Sequence, residues 1–566
     1  MDWLQLKEDC SLKDALKLIS KNQTVFGMAI IIDIQNNFLG VLTLGDITKL
    51  ISNDISIKTK VSSVYNKNPV IFQDPISDKE IIDNLLEIKK EKSLKRLPRY
   101  IPVIKQNKVK RIFNTYAYLL NKKESNDVVC ILGLGFVGLT LALSLSKKSQ
   151  LVIGFDIDKN LIKNLSNGKS HVNEPRINSL LRENIENQKL LITDDISKDM
   201  KINTYIICVG TPINEDNQPN NAPLENCLNY LAQRLQKGNL IIIRSTVSIG
   251  ITRNLIIPKL ENITNLKAGK DFFVSFSPER TVQGDALYEL ENLPQLVSGF
   301  TEKCLTESIK FWRQINNTVI KLDSLEAAEI AKLANNTYRD LSFAFANGLS
   351  QICNAYQIDS KNLISLINEG YERSNIPQPS PGVGGYCLTK DPYILSSSKA
   401  CPDEFRDLID KGRKTNVLQI EFLIQNLKKF TNENNLDFAN LDVLIIGVAF
   451  KGKPVTNDIR FSPSIDLVKK LSGLLKNIRG FDSAIDKNFK VPGIEMIKDV
   501  EELYEVIRNS NAIFIMNNNN ENIPEEFFEH IKKKSFICDP WHLFRESDIA
   551  TLTNVTYSTL GKTINL

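Results

Sequence analysis

Short, almost entirely apolar runs recur along this chain and predict the buried strands of parallel sheets. The clearest are Val128–Leu132, Leu151–Phe155 and Asp442–Ile446. Strands buried on both faces are apolar without alternation, and strands that alternate with helical segments indicate α/β layers. The pattern therefore predicts an α/β protein with two doubly wound, Rossmann-like sheets.

One long helical segment separates the two predicted sheets. Residues Ser324–Tyr356 are rich in alanine, leucine, glutamate and asparagine, and they contain no proline. At about 100° per residue, Lys332, Asn336, Arg339 and Asn347 fall within a narrow arc, and the other faces are apolar. The segment predicts a domain connector or a dimer interface, and its polar stripe is either solvated or part of a site.

A duplicated pattern precedes the first predicted sheet. Each copy consists of a helix, a strand, a turn and a second strand, and Gln35-Asn36 in the first copy matches Gln106-Asn107 in the second. Such a repeat predicts a small α+β module with two similar halves. The polar residues 122–127 predict a linker to the first large sheet.

Length and composition narrow the classes of protein. A chain of 566 residues is too long for one core and predicts about three or four domains. A net charge of +5 with scattered lysines predicts no nucleic-acid partner, and nine cysteines without a CxxC pair predict neither a metal site nor a disulfide framework. Without a signal pattern or an apolar run of ~20 residues, we expect a cytoplasmic protein with no membrane partner.

A glycine motif follows the first apolar run. Gly133-Leu-Gly-Phe-Val-Gly138 comes directly after the predicted strand, a helical segment follows it, and the next strand ends at Asp156. This is the full context of a dinucleotide site, in which a pyrophosphate meets the helix N-terminus and the acid binds a ribose. Because Asp156 would repel a 2′-phosphate, the motif predicts NAD, with a cofactor-free structural turn as the alternative. The predicted cofactor-binding residues are Gly133, Gly135, Phe136, Val137, Gly138, Asp156, Thr211 and Thr246.

A glycine-rich stretch, Pro381–Pro392, presents a cysteine. A thiol on such a loop is accessible, but a nucleophilic thiol also needs a lowered pKa. Asp391 would raise the pKa of Cys387, so a cation must come from elsewhere, and Lys332 is a candidate. In the alternative interpretation Cys387 fills a turn and Asp391 caps a helix that starts at Pro392. This stretch alone does not decide between them.

Polar residues also follow several predicted strands. Thr211, Thr246 and Glu279 lie after apolar runs in the first sheet, and Lys451 does so in the second. Ligands of doubly wound sheets lie beyond the carboxyl ends of the strands, so these side chains are candidates to face a cofactor or substrate.

The ordered motifs from about Val128 to Phe544 resemble the nucleotide-sugar 6-dehydrogenase family. The shared motifs are GLGFVG, Asp156, VGTP, STV, SPER, Lys332 with Asn336, GVGGYC with Asp391, GVAFKG and Asp458-Ile-Arg460. The resemblance implies two Rossmann-like domains joined by a long dimerising helix, and a homodimer or a higher homo-oligomer. It also implies NAD-dependent four-electron oxidation of C6 of a UDP-sugar.

The resemblance assigns roles to individual residues. It implies that Cys387 is the covalent nucleophile, forming a thiohemiacetal and then a thioester. The implied catalytic residues are Cys387, Lys332, Asn336, Asp391, Glu279 and Thr246. The expected substrate-binding residues are Glu279, Arg280, Lys332, Asn336, Arg373, Gly384, Lys451 and Arg460.

Details within the motifs are similar to the N-acetylhexosamine branch of the family. The SPER form, the following Gly284, and Arg373 are typical of that branch, which implies UDP-GlcNAc or UDP-ManNAc as substrate and a role in surface polysaccharide synthesis. Tyr386 and Gln283 depart from it. The alternatives are a UDP-glucose 6-dehydrogenase, a two-electron 3-hydroxyacid dehydrogenase, and a regulatory sensor with an inactive dehydrogenase body.

The duplicated N-terminal module resembles a pair of CBS domains. Its first copy has that family's Thr-x-x-Asp as Thr43 and Asp46, which implies an adenine nucleotide as regulatory ligand, whereas the second has Asn114 and Ala117. In the alternative interpretation Asp46 only caps a helix. The predicted domains are a CBS pair at 1–121, an NAD-binding domain at 127–320, a connecting helix with the cysteine loop at 321–425, and a UDP-binding domain at 426–566.

Overall fold

The computed structural model divides the chain into two compact units, which are described separately. The first unit comprises residues 1–126 and 197–201, and the second comprises 127–196 and 202–566. The structure describes residues 3–21, 28–43, 46–47, 50, 55–91, 98, 100–115, 118, 128–148, 151–198, 200–475, 477–486, 489–531 and 534–566. The predicted linker at 122–127 and Ala117 lie outside these residues.

The first unit is built from two copies of one small sheet. Its elements are β1 (Gln5–Lys7), α1 (Leu12–Lys21), β2 (Met28–Ile32), β3 (Phe38–Thr43), β4 (Phe72–Gln73), α2 (Asp78–Glu91), β5 (Tyr100–Lys105) and β6 (Lys108–Asn114). The sheet orders are β1-β2-β3 and β4-β5-β6, and in each sheet the first pair is parallel and the second antiparallel. Apolar side chains of both sheets meet in one cluster that includes Ile30, Val41 and Ile112. The described strands therefore follow the predicted duplication.

The second unit begins with an eight-stranded Rossmann-like sheet. Its strands are β7 (Val128–Leu132), β8 (Leu151–Phe155), β9 (Leu190–Thr193), β10 (Thr204–Ile207), β11 (Leu240–Ile243), β12 (Phe273–Phe276), β13 (Gln295–Gly299) and β14 (Val319–Lys321). Their order is β14-β13-β12-β11-β10-β7-β8-β9, and every pair is parallel except β12–β13. The sheet's helices are α3 (Phe136–Lys147), α4 (Lys159–Ser166), α5 (Ile177–Glu186), α6 (Ala222–Ala232), α7 (Ile257–Thr264), α8 (Ala286–Asn292) and α9 (Glu302–Trp312).

Four helices connect the two large sheets. They are α10 (Leu325–Ala355), α11 (Ser360–Asn368), α12 (Tyr386–Ser396) and α13 (Asp403–Glu433). Helix α10 has nearly the predicted bounds and begins at Ser324, whose hydroxyl accepts the Ala327 N–H. Helices α10 and α13 pack closely at Gly412, where an added Cβ atom would lie only 2.5 Å from the side chain of Leu341.

A seven-stranded sheet closes the second unit. Its strands are β15 (Asp442–Ile446), β16 (Asn477–Phe481), β17 (Glu495–Met496), β18 (Ala512–Ile515), β19 (Ser535–Cys538), β20 (Val555–Ser558) and β21 (Thr563–Asn565), and its helices are α14 (Pro463–Leu471), α15 (Val500–Asn509) and α16 (Glu546–Ile549). The order is β17-β16-β15-β18-β19-β20-β21, with only β20–β21 antiparallel. The predicted fold class, with two Rossmann-like sheets, is confirmed. Within the described part of the chain, no helix is both long enough and apolar enough to cross a bilayer.

Candidate active site

The turn between β7 and α3 leaves an open helix N-terminus. Gly133 has φ of +97°, and a Cβ there would lie 2.9 Å from the carbonyl oxygen of Cys208. A Cβ at Gly138 would collide with the backbone of Gly133, whereas a Cβ at Gly135, the N-cap of α3, would meet nothing within 4 Å. This space lies where a pyrophosphate could approach the free N–H groups of α3, so the turn fits a dinucleotide.

Asp156 lies at the end of β8 beside this turn. Its carboxylate accepts the N–H of Leu134 at 2.8 Å and the N–H of Asp158 at 3.0 Å, and the side chain stays partly exposed. Next to it, Ile157 is 84% exposed and offers an apolar surface that the sequence analysis did not single out. An acid with remaining acceptor capacity fits a ribose hydroxyl and disfavours a 2′-phosphate.

The ends of β10 and β11 are tied together. The Thr211 hydroxyl donates a hydrogen bond to the backbone carbonyl of Thr246, and the Ser245 hydroxyl donates to the carbonyl of Val209 at 2.7 Å. Thr211 is buried and Thr246 is partly exposed. Thr246 is therefore held at the carboxyl edge of the first sheet.

Glu279 follows β12 and forms a buried ion pair with Arg244. The guanidinium Nη2 lies 2.5 Å from Oε2 of Glu279, Nε donates to the same oxygen at 2.8 Å, and the Thr281 N–H donates to Oε1 at 2.7 Å. Burial alone would raise the pKa of Glu279, but Arg244, Thr281 and Lys332 more than offset it and lower the pKa. Sequence reasoning gave Arg244 no role, although a charged residue directly after the apolar β11 requires a partner.

Helix α10 contacts two of the segments with predicted site residues. Lys332 donates to the carbonyl oxygen of Glu279 at 2.6 Å, and Asn336 Nδ2 donates to Asp391 Oδ2 at 2.6 Å. Lys332 and Asn336 are each 8% exposed, whereas Arg339 is exposed.

Asn347, the fourth residue of the predicted stripe, belongs to another contact. Its amide donates to Asn416 Oδ1 on α13 at 2.9 Å and accepts the N–H of Ser380 at 2.9 Å. In the predicted stripe, Lys332 and Asn336 therefore belong to the candidate site, whereas Asn347 contributes to the packing of α10 on α13.

Cys387 is the second residue of helix α12. The helix begins at Tyr386, and its N-cap Gly385 has φ of +86°. Asp391 and Pro392 lie inside the helix, so the interpretation in which Asp391 caps a helix starting at Pro392 is wrong. A helix N-terminus favours the thiolate of a cysteine placed there.

The glycines before Cys387 allow the loop to pack against residues 450–463, which follow the first strand of the second large sheet. A Cβ at Gly384 would collide with the carbonyl oxygen of Phe461, and one at Gly385 would lie 2.7 Å from the ring of Phe450. Any larger residue at these positions would displace the start of α12 and with it Cys387.

The electrostatic surroundings of Cys387 are mixed. The residue is exposed, yet protein surrounds its thiol on the other sides, and this partial desolvation raises the pKa. Lys332 lowers the pKa, Asp391 raises it, and Lys390 and Arg460 lower it, so that it stays above the ordinary value of a thiol. Lys332 thus acts in the expected direction without fully offsetting the other effects.

Lys390 is a functional candidate that the sequence analysis missed. Its Nζ lies 2.8 Å from Asp391 Oδ1, the side chain is 4% exposed, and Nζ lies 5.2 Å from the centre of the Tyr386 ring. Together with Asn336 it binds both carboxylate oxygens of Asp391. Its position directly before Asp391 was the available signal, because a buried carboxylate needs a nearby donor.

The second sheet contributes two cations to this region. Arg460 pairs with Asp458 at 2.7 Å, and its guanidinium lies 5.0 Å from the centre of the Tyr386 ring. Lys451 Nζ donates to the carbonyl oxygen of Gln283 at 2.8 Å, and burial, with a smaller contribution from a neighbouring arginine, lowers its pKa to about 8.

The other predicted substrate residues have different surroundings. Arg280 donates to the carbonyl oxygen of Pro294. Arg373 is exposed, and its guanidinium lies 4.7 Å from the centre of the Tyr371 ring. Among the described residues, no hydrogen bond or ion pair connects Arg373 to the cysteine loop. The structure therefore does not bring Arg373 into contact with Cys387.

In the first unit, Thr43 and Asp46 bind each other. The Thr43 hydroxyl and N–H donate to Asp46 Oδ2 at 2.7 and 2.9 Å, and the Asp46 N–H donates to the Thr43 hydroxyl at 3.1 Å. The two side chains thus satisfy each other, and both keep partial exposure. Asn114 ends β6 at the corresponding place of the second copy.

Comparison with known protein families decides the identity of the larger unit. Residues 127–316, 326–417 and 444–546 match the NAD binding, central and UDP binding domains of one family. The chain belongs to the UDP-glucose/GDP-mannose dehydrogenase family. The predictions of an NAD-dependent UDP-sugar dehydrogenase and of NAD as its cofactor are confirmed. Residues 3–53 match the CBS domain, which confirms the N-terminal resemblance for the first copy.

Individual relatives match a large share of this dehydrogenase. The chain is 33% identical over 354 residues to the UDP-N-acetyl-D-mannosamine dehydrogenase of Pyrococcus horikoshii, spanning 62% of this chain and 83% of that protein. It is 33% identical over 360 residues to the UDP-N-acetyl-D-glucosamine 6-dehydrogenase of Salmonella typhi, spanning 63% and 82%. A solved structure of UDP-D-ManNAc dehydrogenase from Pyrococcus horikoshii matches with a TM-score of 0.69 at 28% identity, covering 77% of this chain and 99% of that one.

Proposed function

We propose that the protein oxidises C6 of a UDP-N-acetylhexosamine to the carboxylic acid, with UDP-GlcNAc or UDP-ManNAc as substrate, for the synthesis of a surface polysaccharide. The carrying observation is the exposed Cys387 at the N-terminus of α12, with Lys332, Asn336 and Asp391 around it. The relatives' names support the sugar class, and the SPER form with Gly284 agrees with it. UDP-glucose is the alternative substrate.

The first oxidation converts the C6 alcohol to an aldehyde. Each of the two oxidations would need its own NAD molecule as hydride acceptor, held at the turn after β7, and the hydroxyl proton of C6 would leave to solvent. Lys332 and Asn336 stabilise the negative charge that develops on the C6 oxygen, and a positioned donor contributes ~3 kcal/mol to such a step. Thr246, at the edge of the first sheet, orients the reacting carbon between the cofactor turn and α12.

The second oxidation passes through Cys387. Its sulfur adds to the aldehyde carbon while the thiol proton passes to the aldehyde oxygen, and the resulting thiohemiacetal loses a hydride and its hydroxyl proton to give a thioester. Asp391 and Glu279 orient a water molecule that attacks the thioester carbon and releases the acid and the thiol. Glu279 is better suited to orienting the water than to taking up its proton, because Arg244 and the Thr281 N–H already bind both of its carboxylate oxygens.

The UDP part is held by backbone and by cations. Lys451 and Arg460 bind its phosphates, Arg280 supports the sugar side, and Gly384 keeps the cysteine loop against Phe461 beside the substrate. Arg373 contributes to the same substrate from the exposed segment before the loop. We propose the four domains at 1–121, 127–320, 321–425 and 426–566 as the working parts of this enzyme.

A substrate panel tests the proposed reaction. NADH formation is measured with UDP-GlcNAc, UDP-ManNAc and UDP-glucose, and we expect an N-acetylated sugar to give the highest kcat/KM. Cys387→Ser serves as the matched variant, which should bind NAD and the sugar but release almost no acid. Faster turnover of UDP-glucose would contradict the sugar assignment, and undiminished acid release by the variant would contradict the covalent role.

We also propose a homodimer formed through α10. Large apolar side chains on its exposed face recur at a spacing of seven residues in Tyr338, Phe345 and Ile352, which are 74%, 61% and 60% exposed. Such a continuous apolar stripe favours a partner helix over water. Light scattering tests this, since Phe345→Glu should shift the mass towards the monomer.

The CBS module, in this proposal, binds an adenine nucleotide and regulates the dehydrogenase. The partly exposed Thr43–Asp46 pair supports one site per chain. A ligand shifts activity only through a difference in affinity for two enzyme states, typically ~1–3 kcal/mol. Deleting residues 1–124 should leave an active enzyme without a response to AMP or ATP. An unchanged response would contradict the regulatory role.

A further inference from the structure

A buried carboxylate on α10 binds the segment that follows Thr246. Glu329 is fully buried and lies one helical turn before Lys332. Its Oε1 accepts the N–H and the hydroxyl of Thr252 at 3.0 and 2.6 Å, and its Oε2 accepts the N–H of Gly250 at 2.5 Å. Gly250 lies in the turn after β11, and Thr252 begins the π-helical segment Thr252–Ile256 that leads into α7, so one side chain holds that turn and the start of the following helix on α10.

The same face of α10 holds the other two segments of the candidate site. Lys332 binds the carbonyl oxygen of Glu279, and Asn336 binds Asp391 on α12. Residues 329, 332 and 336 follow the i, i+3, i+7 spacing of a single helix face. Successive turns of one rigid helix therefore fix the relative positions of the segments that carry Thr246, Glu279 and Cys387.

The segment with Thr246 is also fixed on its other side. Arg244 is paired with Glu279, and the Thr246 carbonyl accepts the Thr211 hydroxyl. Gly250, with φ of +85°, lets the chain turn between these contacts and those to Glu329. Thr246 thus lies between two anchored ends, and releasing either end would let its side chain move.

We propose that Glu329 is a positioning residue for Thr246, acting through the turn at 248–252 without touching the substrate. A carboxylate has only acceptors, so it can satisfy three donors that converge from one side. An amide at the same position would direct one NH₂ group at a donor and break at least one of these contacts. The inference rests on the proposed function only in giving Thr246 a part in the oxidation.

Glu329→Gln tests the inference, with Glu326→Gln as the matched control. Glu326 lies one turn earlier on α10, and its exposed ion pair with Arg253 at 2.6 Å joins the same segment of chain. In Glu329→Gln we expect faster hydrogen exchange in segment 248–252 and a kcat about tenfold lower or more, since small misplacements near reacting groups are costly. The KM values and the rate of Cys387 alkylation should stay close to wild type, as should every property of the control.

Thr252→Val is a second, milder variant that keeps the buried shape. It removes one donor to Glu329, so we expect a smaller increase in hydrogen exchange in segment 248–252 and a smaller decrease in kcat. The inference would be overturned if both variants kept the wild-type kcat and the wild-type hydrogen exchange in segment 248–252. It would also be overturned if NAD affinity and thiol reactivity fell as much as kcat. If the wild type forms no NADH with any sugar, the proposed function fails. The exchange measurement then still decides whether Glu329 orders the turn.

Discussion

The two Rossmann-like sheets place an acid at the same topological position and use it differently. In the first sheet, Asp156 directly follows β8 and accepts the Leu134 N–H in the turn after β7, while it remains partly exposed. In the second, Asp482 directly follows β16 and is 5% exposed. It accepts the N–H groups of Val448 and Ala449 after β15 at 2.8 and 2.9 Å.

Asn517 accounts for much of this difference. Its side-chain amide donates to Asp482 at 3.0 Å, and a Cβ at Gly447 would lie 2.5 Å from that amide group. The first sheet leaves an open helix N-terminus at Gly135, whereas in the second sheet the next helix starts only at Pro463. The first turn can therefore offer backbone N–H groups to a dinucleotide. In the second turn the acid, Asp482, is buried and bonded to Asn517, so this turn can offer a ligand side chains such as Lys451.

Replacing Asp482, the buried acid of the second sheet, should have the largest effect, which is a loss of stability. Asp482→Ala leaves the N–H groups of Val448 and Ala449 and the amide of Asn517 without their acceptor in a buried place. At about 1 kcal/mol or more for each unsatisfied donor, we expect unfolding free energy to fall by about 3 kcal/mol. Denaturant unfolding followed by fluorescence measures this. A loss below about 1 kcal/mol would mean that the acid is not the structural centre of the second turn.

Replacing Asp156, the partly exposed acid of the first sheet, should instead weaken cofactor binding. Asp156→Ala removes an acceptor for a ribose hydroxyl, and hydrogen bonds to charged groups contribute about 1.5–3 kcal/mol. We expect NAD affinity to fall by about tenfold or more, and the preference over NADP to narrow because the repulsion of a 2′-phosphate is lost. Calorimetry with both cofactors checks this, and a wild type that already prefers NADP would contradict the assignment.

The cation of the second turn should give the smallest, pH-dependent effect. Lys451 has a pKa lowered to about 8, so its ammonium is present below that pH and is lost as the pH rises through it. Because only the ammonium attracts a phosphate, KM for the UDP-sugar should rise above pH 8 by up to about tenfold per unit. In Lys451→Arg this rise should disappear. A wild-type KM that stays flat from pH 7 to pH 9 would remove Lys451 from the phosphate site.

The sequence predicted the elements whose signal is local. Apolar strands such as β7, β8 and β15 and the helical pattern of α10 need no information from distant residues. Helix α13, which runs from Asp403 to Glu433, was not predicted, although it is as long as α10. Neither was the start of α12 before Cys387, because Pro392 suggested that a helix begins there.

The contacts that define the site depend on pairs far apart in the chain. Arg244 and Glu279 belong to the ends of different strands, and Asn336 meets Asp391 across two helices. Sequence motifs pointed to Glu279, Asn336 and Asp391 individually, but only the fold shows which side chains are paired. Arg244 and Lys390 each carried a local signal, but the sequence does not show that their partners are Glu279 and Asp391.

The number of NADH molecules formed for each UDP-sugar consumed tests the central claim most directly. A thioester route through Cys387 predicts two NADH and one carboxylic acid per sugar, with no aldehyde accumulating. In Cys387→Ser, mass spectrometry should detect little acid and at most a trapped ester on the serine. One NADH per sugar with an aldehyde or ketone as the product of the wild type would contradict the four-electron account.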